Sequence, residues 1–194
     1  RKSLVGSEMC IRDSPWHDVY IDEDQLGETF PVVIEVPMGS KNKYELDKES
    51  GLLKLDRVLY SAVHYPSNYG FVPRSFCDDG YPLDALVLGQ EPVVPLCIMH
   101  ARAIGVMRMR DDKGIDDKII AVSVNDPVYS ERRNLKDLPE HKLRESQRYF
   151  EDYKALEHKE VVVEGMQERD DAIRILSESL VMYRKLRRGE LAKD

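Results

Sequence analysis

The sequence predicts an α+β fold that is mainly β: a small antiparallel barrel followed by C-terminal helices. Three observations lead there. The first two-thirds of the chain sets short β-branched or alternating runs between polar turns, a pattern of small all-β architectures. The last third changes period, with apolar residues at steps of three and four. The length of 194 residues suits one domain with a core large enough to fold alone.

The elements follow in order. "FPVVIEVP" (30–37) is a β-branched run bounded by prolines. "NKYEL" (42–46) and "LLKLD" (52–56) flank "DKESG", which reads as a hairpin turn. "DALVLG" (84–89), "HARAIGVMRM" (100–109) and "DKIIAVSV" (117–124) continue the strand pattern. "LPEHKLRESQRYFEDYKALE" (138–157) reads as a helix with Pro139 near its first turn. Leu143, Phe150 and Tyr153 can share one of its faces. A strand-like "VVVEG" (161–165) comes next. "ERDDAIRILSESLVMYRKLRRG" then spaces Ile173, Leu176, Leu180 and Tyr183 as an amphipathic helix. Its acids lie at the start, its basic cluster at the end, and Gly189 stands as the C-cap, all in keeping with the helix dipole. That basic cluster therefore reads as helix termination, not as a nucleic-acid patch.

Residues 1–14, "RKSLVGSEMCIRDS", stand apart. They lack an initiating Met, a periodicity and the apolar centre of a signal peptide. They resemble translated adapter sequence and are expected to be a non-native or disordered segment, leaving residues 15–194 as a single domain.

Bulk properties narrow the function. At 42% hydrophobic and 34% charged residues, the chain has a globular composition. It carries no apolar run near 18 residues, so no transmembrane helix is expected. The net charge of −7 argues against nucleic-acid and anionic-membrane partners, whose affinity comes largely from Lys and Arg. The three cysteines, Cys10, Cys77 and Cys97, form no C-x-x-C pair, and an odd count is a poor disulfide framework. A reducing, cytoplasmic location is expected.

Two acidic turns stand out: "DDGYPLD" (78–84) and "DDKGIDDK" (111–118). Each holds acids five positions apart around a Gly turn. Carboxylates gathered on two loops are costly unless cations neutralise them, and hard cations such as Mg²⁺ want carboxylate oxygens plus water or phosphate. Asp and Gly are also ordinary turn residues, so either loop alone decides little. A basic and aromatic set lies elsewhere. Lys43 and Glu45 point to one face of a strand. Arg57, Tyr65, Tyr69, Lys118, Tyr153 and Lys154 add point charges, a guanidinium fork and neutral donors, which are what phosphate oxygens accept.

Taken together, "VVIEVP", "KYELDKESG", "LDR", "HYPSNYGFVP", "DDGYPLDALVLG", "IGVMRMRDDKGIDDKIIAV" and "FEDYKALE" resemble, in order and spacing, the soluble family I inorganic pyrophosphatases, of the compact prokaryotic type by length. The match runs from about Pro31 to about Gly165. The resemblance implies a five-stranded OB-type barrel with flanking helices. It also implies hydrolysis of pyrophosphate to two phosphates with several Mg²⁺ ions, and a homo-oligomer, with a hexamer favoured. It places Asp79, Asp84 and Asp116 on the tightest metal site and Asp111 with Asp116 on a metal that arrives with substrate. Glu35, with Glu45 nearby, would serve a further metal. Lys43, Arg57, Tyr69, Lys118, Tyr153 and Lys154 would grip the phosphoryl groups, and Tyr65 would line the cavity.

One position departs from the family. Its signature reads Asp-Gly-Asp-Pro-x-Asp, whereas this chain has Tyr81 in the middle. The resemblance gives that middle Asp the role of general base toward the attacking water. A phenol, with a reference pKa near 10, is a poor base at pH 7. The expectation is a correct fold, retained metal and phosphate binding, and strongly reduced turnover. The competing expectation is a metal-pyrophosphate binding or assembly module on the same scaffold.

Overall fold

The computed structural model describes residues 14–112 and 114–191. The expected non-native segment, Ser14 apart, lies outside the described residues, and Cys10 lies outside them too. The strands are β1 (Phe30–Val36), β2 (Asn42–Leu46), β3 (Leu53–Val58), β4 (Asn68–Phe71), β5 (Asp84–Leu88), β6 (Ile98–Asp111), β7 (Gly114–Ile115), β8 (Lys118–Ser123) and β9 (Val162–Glu168). The helices are α1 (Glu140–Asp152) and α2 (Arg169–Arg188).

Among the described residues, seven strands share one mixed sheet in the order β1-β4-β5-β8-β6-β7, with β9 on β6 and a further β1–β6 pairing. Strands β2 and β3 form a separate two-stranded sheet. This corrects the expected five-stranded antiparallel OB-type barrel. The sheet has seven strands, and its β5–β8 pair is parallel, with Asp84 opposite Lys118. The chain path explains the mixture. After β5 the chain runs along β6 and returns as β8, which is antiparallel to β6 and parallel to β5. Parallel strands are usually covered on both faces, and every residue of β8 is buried. Such a strand carries no alternation from which its direction could be read.

Strands β4 and β7 are additions to the sequence reading. The β4 region is crowded with turn formers, yet it is a strand for two reasons. Gly70 lets β1 approach so closely that a Cβ there would overlap the Val33 carbonyl oxygen. Buried Asn68 also ties three chain segments together: its Oδ1 accepts from Met38 N and Val93 N, each at 3.1 Å, and its Nδ2 donates to Glu91 O at 3.0 Å.

One core cluster joins Val32, Ile34, Val87 and Val106 to Ala172, Leu176 and Leu180 of α2. A second joins Leu86, Ile104, Met107 and Ile120 to Tyr149 and Phe150 of α1. On α2, Leu176, Leu180 and Tyr183 are buried as expected, but Ala172 takes the innermost place that Ile173 was expected to fill. Gly189 caps α2 in the left-handed region (φ 69°), its N–H donating to the Leu186 carbonyl at 3.0 Å. Pro139 sits at the N-cap of α1, not inside its first turn, and α1 stops at Asp152, with Ala155–Glu157 in a separate 3₁₀ turn. Among the described residues no helix is long and apolar enough to cross a membrane.

Candidate active site

The parallel β5–β8 pair sets the floor of the site. Asp84 opens β5 and Lys118 opens β8, directly opposite each other. Asp111 ends β6, and Asp116 is held one residue short of β8's neighbour Asp117 by its N–H to Met109 O at 2.9 Å. Glu35 projects from β1, Lys43 and Glu45 from β2, Arg57 from β3 and Tyr69 from β4. Tyr153 and Lys154 follow the end of α1. A cavity of about 400 Å³ is lined by Glu35, Lys43, Glu45, Tyr65, Tyr69, Asp79, Tyr81, Asp84, Asp111, Asp116, Lys118, Tyr153 and Lys154. The structure thus brings together every residue singled out from the sequence except Arg57, which stands outside this lining.

Charge inside the cavity is densely paired. The Lys118 ammonium contacts both Asp84 and Asp116. Burial opposes its charge, but the two carboxylates outweigh burial and hold the amine well above its ordinary pKa. Tyr69 donates to Asp84 at 2.5 Å, and Lys154 donates to Asp111 at 2.8 Å. Lys43 bridges Glu45 at 2.5 Å and Asp56 at 3.4 Å. Burial drives the Tyr69 hydroxyl far above its usual pKa, with Asp84 and Asp116 adding to the effect, so it serves as a neutral donor.

Asp79 and Glu35 differ from the paired acids. Burial pushes Asp79 up to about 6, with Asp84 and Asp116 adding to it against the Tyr81 amide. Burial pushes Glu35 up to about 8, Asp84 and Glu45 again adding, although Leu46 N donates to it at 2.6 Å. In both carboxyls burial outweighs the amide hydrogen bond and the lysine charge that favour ionisation.

The acidic turn carries the departure from the family signature. Gly80 takes φ 83°, which a side chain resists, and its N–H donates to Cys77 O at 3.0 Å. The Tyr81 N–H donates to Asp79 Oδ1 at 3.0 Å. Tyr81 is 44% exposed, so it stands at the cavity mouth instead of filling the floor. The Lys48 ammonium lies 4.1 Å from its centroid.

Several participants were not singled out from the sequence. Arg57 Nε donates to Glu157 at 2.7 Å across 100 residues of chain, and its Nη1 pairs with Asp56. Its Nη2 is buried without a hydrogen-bond partner among the described residues. Arg108 pairs with Asp117 at 2.8 Å, which turns Asp117 away from the cavity-lining set. Asp56 and Asp117 neighbour residues singled out from the sequence, so adjacency was a usable hint. Glu157 and Lys48 lay inside the quoted motifs without being singled out, and Trp16 lay outside them all.

The donor set fits a hard cation. Among the described residues no three carboxylate, His or Cys side chains stand ready as a ligand group, and Lys118 and Lys154 each pair with an oxygen of Asp84, Asp116 or Asp111. The ligands on offer are nevertheless all oxygens, on one wall, with two desolvated acids among them. Hard divalent cations take such sets, completed by water or phosphate.

The family model described as inorganic pyrophosphatase matches residues 32–184. This chain belongs to the inorganic pyrophosphatase family. The chain is 52% identical over 171 residues to soluble inorganic pyrophosphatase 2 of Chlamydomonas reinhardtii, covering 88% of each. It is 50% identical over 177 residues to soluble inorganic pyrophosphatase 1 of Arabidopsis thaliana, covering 91% of this chain and 83% of that one. Among solved structures, the inorganic pyrophosphatase of Helicobacter pylori superposes with a TM-score of 0.82 at 41% identity, covering 87% of this chain and 99% of that one. The Thermus thermophilus enzyme gives 0.84 at 38%, covering 88% and 99%.

Proposed function

We propose that this inorganic pyrophosphatase-family chain hydrolyses inorganic pyrophosphate to two phosphates, and that Tyr81 slows it. One observation carries the reading: acids, ammonium groups and neutral phenols from six strands and a helix end meet in a single cavity. Phosphoryl transfer needs mainly positioning and charge neutralisation, and this wall offers both. Bound Mg²⁺ would lower the pKa of a water toward neutrality and neutralise phosphoryl charge. In this reading Asp79, Asp84, Asp111, Asp116, Glu35 and Glu45 hold the cations. Lys43, Lys118 and Lys154 become available to phosphate oxygens once cations take over their carboxylates. Tyr69 and Tyr153 donate neutral hydrogen bonds, and the buried Nη2 of Arg57, without a hydrogen-bond partner among the described residues, would reach a phosphoryl oxygen on reorienting toward the cavity.

Position 81 is where a general base would act. Loss of a general base removes a factor of roughly 10²–10⁴. The test is phosphate release from Mg²⁺-pyrophosphate by this chain and by Tyr81→Asp. A gain of roughly 10²–10⁴ in kcat for Tyr81→Asp is expected. Equal rates would refute the impairment, and silence in both proteins would favour the binding-module reading.

We further propose that residues 15–194 act as one domain in a homo-oligomer, with a hexamer favoured. Light scattering that returns a monomer mass would refute the assembly. The prokaryotic type draws support from the near-complete coverage of the Helicobacter and Thermus chains, while the relatives at 49–52% identity are algal and plant proteins. Cys77 and Cys97 are free thiols, which suits the expected cytoplasmic location.

A further inference from the structure

We propose that Lys48 is a positioning residue: it latches the β2–β3 hairpin onto the acidic turn through the Tyr81 ring, the Gly80 carbonyl and the Trp16 ring. The inference deepens the pyrophosphatase reading and rests on it for the role of the hairpin.

The hairpin needs a latch. It is a two-stranded sheet of its own, and such ribbons are marginal in isolation. It nevertheless carries Lys43 and Glu45, which line the cavity, and Arg57, which stands outside that lining. Its base is secured by Arg57 to Glu157, and Leu46, the last residue of β2 before the turn, is held by its N–H to Glu35. Its tip is the Asp47–Gly51 turn. That turn is closed internally by Ser50 N to Asp47 Oδ2 at 2.9 Å and Gly51 N to Asp47 O at 2.8 Å.

Lys48 reaches out of this turn. Its Nζ donates to Gly80 O at 3.0 Å, lies 4.1 Å from the Tyr81 centroid and lies 4.8 Å from the Trp16 centroid. An ammonium held against two aromatic rings and a carbonyl is attracted by both quadrupoles and by the lone pair. Trp16 is a firm anchor, since its Nε1 donates to Ser75 O at 2.9 Å and its ring packs against Phe76 and Tyr183. Tyr81 is the other anchor. An aromatic side chain at this position therefore does more than remove a carboxylate: it gives the hairpin tip a surface to grip.

The geometry provides its own reporter. Trp16 is the only tryptophan in the chain, and the latch cation sits over it. The experiment measures hydrogen exchange of the 42–58 amides in metal-free protein, Trp16 emission, and affinity for methylenediphosphonate with Mg²⁺. The variants are Lys48→Met, Lys48→Arg, Tyr81→Leu and the Lys48→Met/Tyr81→Leu pair, with thermal unfolding as a control. Lys48→Met is expected to speed hairpin exchange roughly 3- to 30-fold, to shift Trp16 emission, and to weaken the analogue without moving the melting midpoint. Lys48→Arg should restore all three. The double variant should be no worse than Lys48→Met alone. Unchanged hairpin exchange in Lys48→Met, or strictly additive effects in the double variant, would overturn the latch. If exchange and emission respond as expected while no variant, nor the parent chain, binds the analogue, then the pyrophosphatase reading fails and the latch stands.

Discussion

The main sheet and the β2–β3 hairpin both supply the site, but they are built differently. β1, β4 and β8 are buried along their whole length, and the sheet is covered by α2 on one cluster and α1 on another. The hairpin has one buried residue, Leu46, and exposes Leu55 and Val58. The acids that open β5 and end β6 come from the rigid part, while Lys43, Glu45 and Arg57 come from the ribbon. Under the proposed function, the acids of β5 and β6 that would hold cations are fixed by core packing, while Glu45 and the Lys43 and Arg57 that would grip phosphate depend on contacts at the hairpin's two ends.

The sharpest test of that contrast compares equal truncations. Leu86, 1% exposed in β5, should cost about 2–5 kcal/mol as Leu86→Ala in urea unfolding. Leu55, 55% exposed in β3, should cost no more than about 0.5 kcal/mol as Leu55→Ala. Similar costs would mean that the outer face of the hairpin is covered in solution.

A smaller effect separates the two sets of lysines. Lys118→Met leaves Asp84 and Asp116 facing each other without their cation. The loss should be roughly 2–4 kcal/mol in chelator, below the fully buried range because both acids keep some exposure. Added Mg²⁺ should return part of it. Lys43→Met on the hairpin removes partly exposed pairs and should cost under about 1 kcal/mol. Equal losses, unresponsive to Mg²⁺, would count against the carboxylate wall as a cation site.

The smallest effect lies outside both regions, at His17. Burial lowers its pKa from 6.5, Arg187 and Lys48 adding while Asp18 opposes, and its Nδ1 meets the Tyr183 hydroxyl at 2.9 Å. The folded protein disfavours protonation of the ring, so the unfolded chain takes up the proton first. This contribution to stability is complete above pH 6.5 and is lost as pH falls below it. The urea midpoint of His17→Gln should vary less between pH 7 and pH 5.5 than that of the parent chain. A steeper variation would contradict the sign.

Much of this is legible in the sequence. The β2 boundaries follow from the alternation of Lys43, Tyr44 and Glu45, and α2 follows from its apolar steps and its Gly189 cap. The cavity set was readable through motif order, since turn-borne acids and strand-borne lysines keep their spacing. Strand β4 was not, because its strand character depends on what Gly70 admits from β1, not on its own composition. The mixed sheet was not, because a strand buried on both faces shows neither period nor direction. The pairs Arg57–Glu157 and Lys48–Tyr81 were not, because each joins distant segments whose approach is decided by packing.

The register of Asp84 against Lys118 also bears on how the protein comes to be active. These two residues are 34 positions apart, and their strands can align only after β6 has gone out and β8 has come back. Contacts of that kind must meet their loop-closure entropy before they gain anything, so they form late. The local β2–β3 ribbon can form within about 1–10 μs. A chain refolding from urea should therefore regain strand signal well ahead of catalysis, with the charged floor between β5 and β8 among the last parts to assemble.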